Sequence, residues 1–275
     1  MIYFRVELMK KIEKINNDNI HIVTDFDLTL TAPGSESSWS VFSKSGVLGR
    51  AFIDEADALV KRYHVLELDE TIDFKKKFAY MDEWWQKEFS LFIKYGLTEE
   101  LLEEALNKAP IFFRDGAKEF LKKMNENDVP VIIISGGIGN IIEKVLERNG
   151  CNFDNIHMLA NFIEFEGAVA TKLKGKMIHV LNKNEQALPS EVCQRLGLEA
   201  RPNVILLGDM VGDASMTSAP AENVIRVGFL DQNEKENLEP FQKAFDVVCT
   251  DNTSFSELFE GLLFSTPYSC GSGEH

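Results

Sequence analysis

Residues 21–30 read HIVTDFDLTL. The apolar approach through Ile22, Val23 and Thr24 leads into two carboxylates one residue apart, Asp25 and Asp27. Like charges this close resist ionisation together unless a cation or a substrate compensates them. The stretch therefore reads as a buried strand that ends at a site. The same pattern recurs in VPVIIIS (129–135), NVILLG (203–208), NVIRVG (223–228) and DVVC (246–249), and NIHIVT (19–24) belongs with them. Runs apolar on successive residues, rather than alternate ones, are expected where helices cover both faces of a parallel sheet. Helical patterns lie between them, so the fold class is α/β.

Between the first strand and the second lies a long segment without strand signals. AFIDEADALVKRYHVLE, DFKKKFAYMDEWWQKEFSLFIKYG and TEELLEEALNKAP all carry helical spacing, with Gly96 as a stop and Thr98 as an N-cap. A block of roughly 70 residues is too large for a loop. It is expected to form a helical-bundle cap, residues 36–110, over a discontinuous core made of 1–35 and 111–265. Further on, NIHMLANFIEFEGAVATKLKG predicts a hairpin turning at Glu166 and Gly167. The opening MIYFRVELMKKIEKI reads as an amphipathic helix rather than a signal peptide. The small, polar segment 266–275 reads as a disordered tail.

Composition narrows the class. A chain of 275 residues with 44% hydrophobic and 27% charged residues is an ordinary globular protein. The formal net charge of -15 argues against a nucleic-acid polymer or an anionic membrane as partner, since both need a basic surface. No apolar run approaches the roughly 20 residues needed to span a bilayer. The four cysteines, Cys151, Cys193, Cys249 and Cys270, are scattered, which suggests neither a zinc site nor a disulfide framework. The expectation is a reduced, cytoplasmic protein, with a monomer favoured.

In open α/β sheets, ligands bind beyond the carboxyl ends of the strands. Three inferred strands end there in polar groups: Asp25 with Asp27, Ser135 with Gly136 and Gly137, and Asp209 with Asp213. LKGK offers two lysines, Lys174 and Lys176, which periodicity does not separate. His179 is expected to pack or hydrogen-bond rather than to bind a metal. Lys75, Lys76 and Lys77 read as a solvated face, and Ser43 and Ser45 remain without a role.

DFDLT, IIISGG, LKGK and GDMVGD, in this order, resemble the four motifs of the haloacid dehalogenase superfamily. The surrounding text, including AYMDEWW, ISGGIGNIIEKVL, NFIEFE and LKGKMIHVLNKNEQAL, is similar to the cytosolic 5'-nucleotidase III family, also called pyrimidine 5'-nucleotidases, over about residues 5–263. That resemblance implies a Rossmann-like core with a parallel sheet and a helical cap. It implies Mg2+ as cofactor, with Asp25, Asp27 (through its carbonyl) and Asp209 as ligands and Asp213 as a direct or water-mediated one. It makes Asp25 the nucleophile and Asp27 the general acid and base. Ser135, Gly136 and Gly137 would bind phosphate, and the resemblance selects Lys174, the lysine before the glycine, to neutralise charge. Glu83, with Trp84 and Trp85, would meet the nucleobase, and the paired tryptophans look like the branch that also accepts 7-methylguanosine monophosphate.

The function so implied is a magnesium-dependent 5'-nucleotidase. It would hydrolyse nucleoside monophosphates such as CMP or UMP, or 7-methyl-GMP, through an aspartyl-phosphate. One alternative is a phosphatase or phosphotransferase acting on another small phosphate ester. A noncatalytic nucleotide-binding scaffold is the alternative outside enzymes; an intact set of Asp25, Asp27, Lys174 and Asp209 argues against it, because binding alone needs no in-line nucleophile.

Overall fold

The computed structural model describes residues 1–5, 8–69 and 71–262, so the expected tail 266–275 and Cys270 lie outside the described residues. In chain order the elements are β1 (Ile2–Phe4), α1 (Leu8–Ile12), β2 (Ile20–Thr24), α2 (Ser40–Ser45), α3 (Arg50–Leu68), α4 (Phe74–Lys94), α5 (Glu99–Lys108) and α6 (Ala117–Glu126). There follow β3 (Val131–Ile138), α7 (Gly139–Arg148), β4 (Ile156–Glu166), β5 (Val169–Lys174), α8 (Ser190–Arg195), β6 (Asn203–Gly208), β7 (Val224–Leu230), α9 (Glu234–Ala244), β8 (Val247–Thr250) and α10 (Phe255–Leu262). The strands form one sheet in the order β1-β8-β7-β6-β2-β3-β4-β5. From β8 to β4 the neighbours run parallel, while β1 and β5 are antiparallel edges.

The apolar strand runs are explained by two cores, one on each face. Ile20 and Ile22 of β2 join Ile133, Ile205 and Leu207 in one cluster, whereas Val23 joins Ile132, Ile134, Val204 and Leu206 in the other. Successive side chains of a strand point to opposite faces, so a sheet covered on both sides needs an apolar residue at every position. All five residues of β2 are buried accordingly.

The N-terminus departs from the expected helix. Ile2, Tyr3 and Phe4 pair with Cys249, Val248 and Val247, and among the described residues of this stretch the helix is the five-residue α1. The exposed edge of β8 would otherwise leave a row of unpaired main-chain groups, and three residues of β1 satisfy them.

The expected helix signals are seen. Thr98 caps α5 by accepting from the Leu101 amide at 3.1 Å, and Gly96 adopts φ 65° after α4. Asp73 caps α4 through the Lys75 amide at 3.0 Å. Aromatic rings join α3 to α4, with Tyr63 stacked on Trp84 at 5.9 Å and Phe52 5.6 Å from Phe92. The hairpin turns at Gly167, φ 64°. It grows out of a core strand, because the first half of β4 pairs with β3 and only the second half pairs with β5. In the centre of the sheet, β6, β2 and β3 are adjacent, so their carboxyl ends bring Asp209, Asp25 and Ser135 to one edge.

Candidate active site

Asp25 follows the last residue of β2 and is buried, its amide donating to Leu207 O at 3.0 Å. Lys183 Nζ lies 2.6 Å from Asp25 Oδ1 and 2.8 Å from Asp213 Oδ1. One ammonium thus bridges two carboxylates contributed by strand ends that are far apart in sequence. Asp213 is held in turn by the amides of Asp209 and Met210, at 3.2 and 3.0 Å from its Oδ2. Gly208 makes this possible, because a Cβ there would stand 2.4 Å from Asp213 Cβ.

The lysine is a correction. Lys174, selected by resemblance, and Lys176 are both exposed, Lys174 as the last residue of β5 and Lys176 just after it. Lys183 occupies the central position instead, on the irregular segment that follows. No spacing rule connects it to LKGK, since the chain between is irregular and its path is set by tertiary contacts. The available signal was the polar NKN at 182–184, too common to select a residue.

Asp27 is gripped by a residue that the sequence did not single out. Its Oδ1 accepts from the Ser38 amide at 3.0 Å and its Oδ2 from Ser38 Oγ at 2.7 Å. Burial and the nearby Asp25 carboxylate push Asp27 up to about 6 against these two hydrogen bonds. A carboxyl tuned in this way can hold a proton near neutrality and give it up again. Between the motif's second aspartate and its threonine, Leu28 adopts φ 60°, which is strained for a branched side chain. Its amide donates to Thr31 Oγ1 at 2.7 Å. Arg114, fully buried, donates to the carbonyls of Leu28 and Thr29 and to Asp231 Oδ2. The turn carrying Asp27 is therefore clamped from both sides.

Ser135 and Gly137 are buried at the end of β3, with the Gly137 amide 3.0 Å from Ser135 Oγ. Glycine is required at 137: a Cβ would meet Ser38 Oγ at 2.0 Å and Asp27 Oδ2 at 3.1 Å. This close approach brings the second motif against the first.

Asp25, Asp209 and Asp213 each offer a carboxylate oxygen within 4.8 Å of the others. Burial, then Asp25 and Asp213, push Asp209 well above the usual carboxylate range, and burial likewise raises Asp25 despite Lys183. Lys183 stays charged: burial opposes its charge, but Asp213 and Asp25 outweigh that. One ammonium leaves this cluster of acids under-compensated. An all-oxygen donor set with surplus negative charge suits a hard divalent cation.

Beside the site a cavity of 390 Å³ is lined by Ser37, Trp39, Ser43, Phe52, Trp84, Trp85, Glu88 and Phe92, among others. Such a volume and aromatic lining suit a small organic ligand. Trp84 and Trp85 line this cavity, and Glu83 does not. Glu83 pairs with Lys87, both side chains about 41% exposed. Two carboxylates line the cavity instead, Asp57 and Glu88, and Glu88 accepts from Trp84 Nε1 at 3.0 Å. Residues four apart share a helix face, so Trp84 and Glu88 point together while Glu83 turns outward. Burial pushes Glu88 up to about 7. Ser43 lines the cavity, whereas Ser45 donates to Phe42 O as a helix-end contact. His179 is fully buried, its Nδ1 accepting from the Leu181 amide at 3.2 Å.

Residues 8–262 match the family described as "Pyrimidine 5'-nucleotidase (UMPH-1)". The chain belongs to that family. It is 29% identical over 269 residues to the 7-methylguanosine phosphate-specific 5'-nucleotidase of Homo sapiens, covering 94% of this chain and 88% of the relative. The enzyme of the same description from Drosophila melanogaster is 30% identical over 244 residues, covering 86% and 76%. Among solved structures, cytosolic 5'-nucleotidase IIIB bound to cytidine superposes with a TM-score of 0.81 at 26% identity, over 95% of this chain and 92% of the other. A phospho-aspartyl intermediate analogue of phosphoserine phosphatase, 20% identical with a TM-score of 0.56 over 89% of this chain and 99% of the other, shares the fold. This pyrimidine 5'-nucleotidase family member is thus a phosphoric monoester hydrolase of the haloacid dehalogenase superfamily, acting on nucleotides. Among the described residues no helix is long and apolar enough to cross a membrane.

Proposed function

We propose that the chain is a magnesium-dependent nucleoside 5'-monophosphatase that works through an aspartyl-phosphate on Asp25. The observation that carries this reading is the bridge of Lys183 between Asp25 and Asp213, with Asp209 alongside. A carboxylate oxygen of Asp25 attacks phosphorus as the bond to the 5'-oxygen breaks, and protonated Asp27 supplies the proton to that oxygen. Water then attacks the acyl phosphate, Asp27 takes its proton, and inorganic phosphate leaves with Asp25 restored. Lys183, Ser135 and the Gly137 amide offset the charge on the transferring group. Asp25, Asp209, Asp213 and the Asp27 carbonyl would hold Mg2+, which when bound neutralises phosphate charge.

Helices within 36–110 act as the cap over a core of 1–35 and 111–265, and the cavity takes the base. Its aromatic walls stack on a planar ring, and Glu88 faces it as an acceptor. The names of the relatives, together with a carboxylate among tryptophans, favour 7-methylguanosine monophosphate, whose ring is cationic. An aromatic face contributes about 0.5–2 kcal/mol towards a cation. A neutral pyrimidine nucleotide such as CMP is the second substrate, supported by the cytidine-bound relative. The enzyme works as a cytosolic monomer.

The test is phosphate release from a panel of monophosphates with and without Mg2+. Preference for 7-methylguanosine monophosphate and CMP over ribose 5-phosphate is expected. Equal turnover of all esters would overturn base recognition, and transfer to an added nucleoside in place of water would redefine the reaction.

A further inference from the structure

Trp39 and Trp85 line the cavity, yet neither indole nitrogen is available to a ligand there. Both donate to one acceptor, the main-chain carbonyl of Gly136, at 3.1 and 2.9 Å. The side-chain amide of Asn161 donates to the same oxygen at 2.9 Å. A carbonyl oxygen has two lone pairs, so three donors from three segments over-determine where it points. Asn161 extends the junction by binding Ile178 through both its Nδ2, at 2.7 Å to the carbonyl, and its Oδ1, at 2.8 Å from the amide. The next residue, His179, places Nε2 3.2 Å from Asp82 Oδ1 on α4, and the same segment runs on to Lys183.

Gly136 lies between Ser135 and Gly137 in the last part of β3, where the pairing with β4 shifts register. The peptide joining it to Gly137 is planar and trans, so its C=O and N–H point in opposite directions. Holding the carbonyl towards the tryptophans therefore holds the Gly137 amide towards Ser135 Oγ, the side on which the proposed reading puts the phosphate. The two indoles cross edge to face at 6.2 Å and 86°, so neither ring turns without disturbing the other. Trp84, on the same helix, donates to Glu88 instead, so the grip on Gly136 is not a general habit of this aromatic cluster.

We infer that Trp39 and Trp85 are positioning residues for phosphoryl transfer. Their indole N–H groups fix the Gly136–Gly137 peptide so that the Gly137 amide faces the phosphate, and a base that settles against their rings is felt at the phosphate through one peptide unit. The inference rests on the proposed reading that the cavity takes the base and the Ser135–Gly137 segment takes the phosphate.

The variants Trp39→Phe and Trp85→Phe keep an aromatic ring and delete the N–H. For each, kcat and KM would be measured on the preferred nucleotide and on p-nitrophenyl phosphate, which lacks a base and ribose, together with inhibition by inorganic phosphate and the circular dichroism spectrum. A loss of about tenfold in kcat on both substrates is expected, with weaker inhibition by phosphate and unchanged secondary structure. Should Trp85→Phe fail to fold, Trp39→Phe carries the test. A further readout is the Gly137 amide resonance, whose displacement by inorganic phosphate should shrink in either folded variant. Folded variants that raise KM for the nucleotide alone, with p-nitrophenyl phosphate turnover and phosphate inhibition at wild-type levels, would overturn the inference. Wild-type protein that releases phosphate from p-nitrophenyl phosphate but from no nucleotide would instead overturn the functional reading beneath it.

Discussion

Lys183 Nζ stands 2.6 Å from Asp25 Oδ1, between two segments that the chain separates by 158 positions. This contact places cationic charge against the proposed nucleophile, whereas Lys174 is exposed at the end of β5. Lys183→Met is expected to lower kcat by roughly 10²–10³, the usual cost of losing an electrostatic stabiliser of the transition state. Lys174→Met should stay within about twofold of wild type, as expected for an exposed surface residue. Steady-state kinetics on one nucleotide decides between them, and the reverse ranking would restore Lys174. Asp25→Asn should abolish turnover while the circular dichroism spectrum is unchanged.

Ser38 holds Asp27 with two hydrogen bonds. Ser38→Ala removes the hydroxyl but keeps the amide, so Asp27, the proposed general acid, loses one of two anchors. A fall in kcat of about tenfold is expected, the rate equivalent of one hydrogen bond of roughly 1.4 kcal/mol. A variant as fast as wild type would show that the amide alone orients Asp27.

Glu88 should make stability depend on pH in an unusual direction. Its folded pKa of about 7 lies above the ordinary 4.5 because burial disfavours the charge; Asp57 also disfavours it, and Trp84 opposes both. Between these values the folded state binds more protons than the unfolded state, so stability falls as pH rises. The penalty is absent below about 4.5, grows through the window, and is complete above about 7, amounting to about 3 kcal/mol. Glu88→Gln should therefore melt higher than wild type at pH 8 and alike at pH 4.5. Over the same window, KM for a cationic base should improve as pH rises in wild type and stay flat in Glu88→Gln. Melting curves that keep the same separation at both pH values would contradict this assignment.

Divalent cation should stabilise the fold independently of catalysis. With Mg2+ at about 100 times its dissociation constant, linkage gives about 2.7 kcal/mol, seen as an upward shift of several degrees in melting temperature. Asp209→Asn should remove most of that shift, and a chelator should reverse it in wild type. A wild-type melting temperature indifferent to Mg2+ would exclude the acidic triad as its site.

Arg114 and Asp231 form an ion pair almost wholly out of water, and the guanidinium lies 4.3 Å over the Phe229 ring. Asp231→Ala would leave the arginine without its counter-charge, at a cost of roughly 3–5 kcal/mol. Because Arg114 also holds the carbonyl of strained Leu28, a loss of kcat should accompany the loss of stability. Chemical denaturation together with kinetics checks both, and an unchanged midpoint would rule out the clamp.

What was legible in the sequence was local. Val23 and Ile22 could be recognised as strand residues because a sheet buried on both faces demands unbroken apolar runs, and Asp25, Ser135 and Asp209 fall where such runs end. Parallel pairing then puts those ends on one edge, and the strand order β6-β2-β3 makes them neighbours. Thr98 and Gly96 were readable as cap and stop because helix ends are local hydrogen-bonding problems. Three choices belonged to tertiary structure. Lys183 displaced Lys174 because the segment after β5 has no periodicity from which a direction could be read. Glu88 displaced Glu83 because both lie on one amphipathic helix, and only the packing of α3 against α4 shows which face closes the cavity. Ser38 and the shared Gly136 carbonyl join residues distant in the chain, and hydrogen bonds across such separations leave no pattern in sequence until the backbone is folded.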